Sequence, residues 1–162
     1  MTKLVVLSDS HNTPQAIKRI LKAEKGASAV IYLGDGLRDL ELALTEYPAL
    51  RVYAVAGNCD FNAMEPQDGL AAFDQVVVFY THGNMYGVKY DLDTLAEAAR
   101  VRGAELALFG HTHIPCDEVR AGVRLFNPGS CGHSYTGSAS YGVLLLDKGA
   151  VVQAEHKEVP KA

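Results

Sequence analysis

Apolar and polar positions fall along this chain in blocks that read as strands and helices in turn. Residues 4–7 are continuously apolar, the pattern of a strand buried on both faces. The run stops at Ser8-Asp9-Ser10-His11, and helix signals follow at once. Thr13 can cap, Pro14 suits the first helical position, Ala16, Ile17, Ile20, Leu21 and Ala23 recur at helical spacing, and Gly26 closes the stretch. Residues 29–33 repeat the strand pattern and end at Gly34-Asp35-Gly36; Leu37, Leu40 and Leu44 sketch a second helix that stops near Pro48. Residues 52–56 form a third strand running into Gly57-Asn58-Cys59-Asp60. Strand–helix–strand–helix–strand predicts a layered α/β fold with parallel neighbours. Its ligand crevice is expected at the carboxyl ends of the strands.

The second half keeps the theme and then changes. Residues 76–80 are β-rich and end at Thr81-His82-Gly83. Asp91 or Asp93 starts a helix carrying Leu92, Leu95, Ala96 and Ala99, closed by Gly103. Residues 106–109 are another buried strand, ending at Gly110-His111-Thr112-His113. Short strands follow at 123–126 and 141–146, with Asp147-Lys148-Gly149 as a hairpin turn into 151–155. Residues 62–75 read as a loop, and the polar tail from His156 reads as solvated and frayed. With no repeat or linker in view, residues 1–162 are expected to form one domain.

Composition narrows the function classes. A chain that is 48% hydrophobic and 21% charged belongs with ordinary globular proteins. A net charge of −4 without a basic run argues against a duplex-nucleic-acid partner. No stretch reaches the roughly 18 apolar residues of a membrane span. The 3 cysteines, Cys59, Cys116 and Cys131, lack CxxC spacing and do not suit a disulfide framework. Reduced cysteines and the lack of a signal-peptide pattern point to the cytoplasm. A homo-oligomer is left open.

The chemistry lies where the strands stop. Asp9 and His11, Asp35, Asn58, His82, then His111 and His113 each follow a strand and sit beside a small residue. Taken singly, an aspartate after a strand is usually a turn former or cap, and a lone histidine is usually solvated. The pairs Asp9/His11 and His111/His113 say more, because residues two apart in an extended segment point to one side. If the strands lie side by side, these groups share one crevice, and no lysine or arginine falls inside the motifs. Two carboxylates crowded together need a cation, and neutral imidazoles are metal donors. So many donors exceed one tetrahedral zinc and suit two metals sharing a carboxylate. Oxygen and nitrogen donors favour manganese, with nickel, iron or zinc as alternatives. Two divalent ions against two carboxylates leave about +2, a field that attracts phosphate and acidifies bound water.

DSH at 9–11, GD at 34–35, GNCD at 57–60, HG at 82–83 and GHTH at 110–113 resemble the motifs of the calcineurin-like metallophosphoesterases. Order and compactness resemble the small bacterial and archaeal phosphodiesterases of that superfamily, relatives of a retromer subunit. The resemblance runs over residues 1–155 and includes NPGS at 127–130. It implies a four-layer αββα sandwich of two mixed sheets. It also implies one metal on Asp9, His11, Asp35 and His113, and a second on the bridging Asp35 with Asn58, His82 and His111. A hydroxide between them would be the nucleophile, with Asp35, Asn58 and His82 at the centre of catalysis.

Two positions depart from the family pattern. Cys59 stands where many members carry a histidine that protonates the leaving group, and a thiol is a poor replacement. Cys59 is therefore expected to be a small packing residue, and esters with good leaving groups to be favoured. Asn12 stands where glycine commonly follows DxH, and either touches substrate or serves the helix start. Asp60 is expected to orient a histidine or the asparagine loop from behind. Ser130 and His133 are candidates for the lining of the substrate pocket, beside the plainer reading of NPGS as a turn. Tyr86 and Tyr135 are candidates for its gate, beside the plainer reading as exposed tyrosines. The reading is a phosphodiesterase acting on a small phosphate ester. The alternatives are a phosphomonoesterase, for which Arg38 is the one basic residue near a motif, and a catalytically silent protein-interaction scaffold of the same fold.

Overall fold

A computed structural model describes residues 1–133 and 137–161. The apolar runs become strands buried on both faces, because successive side chains serve opposite cores. In β1 (Thr2–Leu7), Leu4 and Val6 enter one apolar cluster while Val5 and Leu7 enter another. The first sheet has the order β10 (Ala150–Glu158), β9 (Ser140–Asp147), β1, β2 (Ala29–Tyr32), β3 (Val52–Ala54). The second runs β4 (Asp68–Phe73), β5 (Val76–Thr81), β6 (Leu106–Leu108), β8 (Val123–Asn127), β7 (Cys116–Arg120). The sheets pack face to face through Leu4, Val6, Ile31, Val78, Leu106 and Phe126. Helices α1 (Pro14–Ala23) and α2 (Leu37–Leu44) cover the outer face of the first sheet, and α3 (Asp93–Val101) that of the second. This is the αββα sandwich implied by the resemblance.

Both sheets are mixed. β1, β2 and β3 run parallel, as do β5, β6 and β8, while β9 and β10, β4 and β7 are antiparallel additions. Two strands escape the sequence reading. β4 falls inside the stretch read as a loop, and β7 was not expected at all; each is an edge strand with half-exposed residues. The tail also differs from expectation. β10 runs on to Glu158, and His156 is not solvated: its ring stacks on Phe126 at 4.4 Å and Nε2 donates to Asn127 O at 2.7 Å. The turn at Lys148-Gly149 is the tight hairpin expected, with φ of 49° and 85°. At α1, Thr13 holds the cap position, but its side chain makes no cap bond; its N–H donates to the buried Asp39 carboxylate at 3.1 Å. The helix ends at Ala23, with Glu24 rather than Gly26 as its cap. No helix among the described residues is long and apolar enough to cross a membrane.

Candidate metal centre

The parallel strands of both sheets deliver their carboxyl ends to one edge of the sandwich. Asp9 follows β1, Asp35 follows β2, His82 follows β5, and His111 and His113 follow β6. The local backbone is not extended, as the spacing argument assumed. Asp9, His11, Asp35, His111 and His113 have φ of 58°, 40°, 61°, 69° and 63°. Non-glycine residues rarely take this left-handed conformation, and where they cluster the surrounding structure must hold them there. The side chains therefore meet through tight left-handed turns, and His111 and His113 serve different partners.

Two clusters result: Asp9, His11 and His113, and Asp35, His82 and His111, each with its donor atoms within 4.8 Å of one another. In the first, His11 Nε2 and His113 Nε2 stand 3.1 Å apart, and Asp9 Oδ1 lies 3.5 and 3.3 Å from them. In the second, His82 Nε2 and His111 Nδ1 stand 3.2 Å apart, and Asp35 Oδ2 is 3.2 Å from His82 Nε2. Two imidazoles bound about 2.1 Å from one ion at angles between octahedral and tetrahedral have nitrogens about 3.0–3.4 Å apart. Asp35 Oδ2 also lies 3.8 Å from His11 Nε2, so one oxygen faces both clusters.

Each carboxylate has one oxygen tied to the scaffold and one presented. Asp9 Oδ2 accepts from Ser8 Oγ and from the His111 N–H at 3.1 Å, while the buried Oδ1 has no hydrogen-bond partner among the described residues. Asp35 Oδ1 accepts the Cys59 N–H at 2.8 Å, leaving Oδ2 to the histidines. A buried carboxylate oxygen with no donor, facing imidazole nitrogens, is a costly arrangement unless a cation completes it. The donor set thus fits divalent metal.

The titration shifts of Asp9, Asp35, His11 and His82 point the same way. Burial would raise the Asp9 pKa, but the close imidazoles of His11 and His113 and the charge of His82 outweigh it and hold it low. Asp35 is lowered too, by His82 against the cost of burial. The His11 pKa is raised, chiefly by the Asp9 carboxylate beside it; that of His82 is raised by Asp35 and Asp9 despite burial, while that of His111 is lowered by burial and by His82. A pocket that raises an imidazole pKa stabilises positive charge, whether proton or metal.

Behind these groups stands a layer that the sequence reading found only in part. Asp60, expected to orient a histidine or the asparagine loop, mainly holds the Asp35 loop. Its Oδ2 accepts N–H groups of Asp35 and Gly57 at 2.7 and 2.8 Å, and its Oδ1 those of Gly36 and Leu37 at 2.9 and 3.0 Å. Ser130 does not line a pocket: it is fully buried, and its Oγ donates to Asp9 O at 2.7 Å. Asn127, read only as part of a turn, holds the GHTH loop by donating to Gly110 O at 3.1 Å and Thr112 Oγ1 at 3.0 Å. Asp39 was missed; it is buried and accepts from Ser10 Oγ at 2.6 Å, and Ser10 in turn meets Tyr32 Oη at 2.8 Å.

The remaining expected residues are scattered around the rim. Asn58 is exposed, with its amide nitrogen 3.6 Å from Cys59 Sγ. Cys59 is not a packing residue, because it too is exposed. Asn12 is exposed, with φ of 66°, in the loop before α1. His133 is exposed, with its ring 6.4 Å from that of His113. Tyr86 is no gate: its hydroxyl donates to Asp68 at 2.7 Å, tying it to β4. Tyr135 lies outside the described residues. A groove of about 1130 Å³ opens from His11 and Asp35 along α2.

Comparison with known proteins agrees with this geometry. The family model of the calcineurin-like phosphoesterase superfamily domain matches residues 2–149. YsnB of Bacillus subtilis, a probable metallophosphoesterase, is 34% identical over 150 residues, covering 91% of this chain and 86% of that protein. Phosphodiesterase YfcE of Escherichia coli is 31% identical, covering 98% of this chain and 96% of that protein. A Vps29 structure from Entamoeba histolytica superposes with a TM-score of 0.77 at 19% identity, over 97% of this chain and 99% of that one. That last likeness is one of fold.

Proposed function

This chain belongs to the calcineurin-like phosphoesterase superfamily, and from that premise we propose that it is a phosphodiesterase working with two divalent ions, manganese by preference. The observation that carries the reading is the pair of three-residue clusters with Asp35 Oδ2 facing both. Asp9, His11 and His113 would hold one ion; Asp35, His82 and His111 would hold the other, with Asn58 as a further donor at the rim. Bound ions would supply Lewis acidity to the phosphate and lower the pKa of water.

The chain's own residues supply geometry. Leu33 O accepts from His82 Nδ1 at 2.7 Å, so Nε2 is the nitrogen turned to the site. Asp60 and Ser130 fix the backbones of Asp35 and Asp9. The position after Asn58 holds a thiol, a weak hydrogen-bond donor, so departure of the alcohol relies on its own stability as an anion. That favours esters of acidic alcohols. Similarity to YfcE, a phosphodiesterase, supports the diester over the monoester. Free thiols at Cys59, Cys116 and Cys131 support a cytoplasmic location.

The test is hydrolysis of bis-p-nitrophenyl phosphate against p-nitrophenyl phosphate by manganese-loaded protein, beside Asp35→Ala and His82→Ala. The reading expects diester preference and a loss of about 100-fold or more in both variants. Rates equal to those of the variants would contradict an enzyme and favour the scaffold alternative. Preference for the monoester would contradict the diester assignment.

A further inference from the structure

The groove that begins at His11 and Asp35 is larger than a phosphate needs. At about 1130 Å³ it exceeds the roughly 300–1,000 Å³ of most small-molecule pockets. It is lined by α2 between Leu37 and Leu44, by Val52 and Ala54 of β3, and by the loop that follows Cys59. That loop turns Phe61 and Met64 outward, with 84% and 96% exposure. Two large apolar side chains left in water beside a metal centre form an incomplete surface rather than a core.

The charges on the groove are distributed unevenly. Arg38, in the first turn of α2, lines it and has no ion pair or hydrogen bond among the described residues. Arg100, Arg120 and Arg124 are all paired with carboxylates. Asp39 and Asp60, which also line the groove, are taken up by hydrogen bonds from Ser10 Oγ and the Asp35 N–H, and Glu41 and Glu65 disfavour a second anion there. One cation beside the candidate metal ligands, an otherwise acidic lining and an apolar pair on the loop match a molecule with one anionic end and an uncharged apolar body.

We propose that this groove binds one ester arm of the substrate, that the arm is uncharged and carries a planar aromatic ring set against Phe61 and Met64, and that Arg38 contacts a phosphate oxygen. Aromatic rings gain from stacking on a phenyl face and from contact with a thioether. Guanidinium suits the paired oxygens of a phosphate diester. The inference rests on the phosphodiesterase reading for the identity of the anionic end, and it has its own readout.

Binding of diphenyl phosphate and of dimethyl phosphate to isotope-labelled, magnesium-loaded protein would be followed by amide chemical shifts. The proposal expects diphenyl phosphate to bind at least about 10-fold more tightly. Its shifts should map to Leu37, Arg38, Phe61 and Met64. Phe61→Ala combined with Met64→Ala should bring the two affinities together, while Arg38→Ala should weaken both ligands by a similar factor. Equal affinities in the wild type would overturn the proposal. So would a ratio unchanged in the double variant, or shifts centred elsewhere, on a groove lined by Tyr90 and Ile114. Aromatic binding in the α2 groove without hydrolysis of any diester would contradict the catalytic reading and leave the groove assignment standing.

Discussion

His82 presents Nδ1 to the carbonyl oxygen of Leu33 at 2.7 Å, just past the end of β2 and two residues before Asp35. A carbonyl can only accept, so Nδ1 carries the hydrogen and Nε2 offers its lone pair to the site. Asparagine at this position keeps an N–H near Nδ1 and removes the donor at Nε2. His82→Asn is therefore expected to stay within about 1 kcal/mol of wild-type stability. Its metal affinity should fall by at least about 10-fold. Thermal unfolding without metal and calorimetric titration with manganese separate the two effects. A large stability loss with unchanged affinity would assign His82 to structure alone.

Asp60 is expected to be a sensitive support. Four backbone N–H groups converge on its two oxygens, from both the Asp35 and the Asn58 loops. Asp60→Asn would turn an NH2 toward donors it cannot accept from, so it should be nearly as harmful as Asp60→Ala. Each is expected to cost about 2–4 kcal/mol. For a chain of this size that lowers the melting temperature by roughly 5–12 °C. A change of less than about 2 °C in both variants would show that the network is dispensable.

Close approach, not backbone conformation, governs Gly57. A Cβ there would lie 2.1 Å from Asp35 Oδ1 and 2.6 Å from Asp35 N. Gly57→Ala must push Asp35 aside and should reduce both stability and metal affinity. Gly26→Ala meets nothing within 4 Å and is the matched control. It should be neutral or stabilising by up to about 1 kcal/mol. Equal behaviour of the two variants in thermal unfolding would contradict the close packing of the loops.

Acid stability should depend on Glu24, at the end of α1. Burial raises its pKa, but Lys3 Nζ at 2.7 Å, Tyr141 Oη at 2.6 Å and Lys157 Nζ at 3.2 Å outweigh that and hold it at about 2, below the ordinary 4.5. A depressed carboxyl pKa stabilises the fold fully above its unfolded value. The contribution fades as pH falls from 4.5 toward about 2. Both lysines are partly exposed, so solvent screening reduces the worth of the pairs to about 1–3 kcal/mol. Glu24→Gln should lose stability at pH 7 and show a flatter acid limb in denaturant titrations. A variant whose acid limb matches the wild type would place the sensitivity elsewhere.

Strands β1, β2 and β6 were legible because their apolar runs face a core on both sides, so no polar residue interrupts them. Strands β4 and β7 were not. DGLAAF and CDEVR are edge segments in which apolar and polar residue types do not follow the alternation of burial. The residues that cluster at the site were legible as chemical types after strands, but the reason they meet was not. Left-handed turns at Asp9, Asp35, His111 and His113 have no signature in residue spacing. The supports Asp39, Asn127 and Asp60 act largely through backbone groups or hydroxyls brought together by the fold, as in the bond from Ser10 Oγ to Asp39 across 29 positions. His156 was misread because only the length of β10 brings it over Phe126.

The most direct test is the stoichiometry of manganese bound per chain, measured by native mass spectrometry on wild type, His111→Ala and His113→Ala. Each histidine belongs to one cluster only. The account predicts two ions on the wild type and, at the same free metal concentration, one on each variant, with diesterase activity lost in both. A single ion on the wild type, or two retained on both variants, would contradict a binuclear centre at these residues.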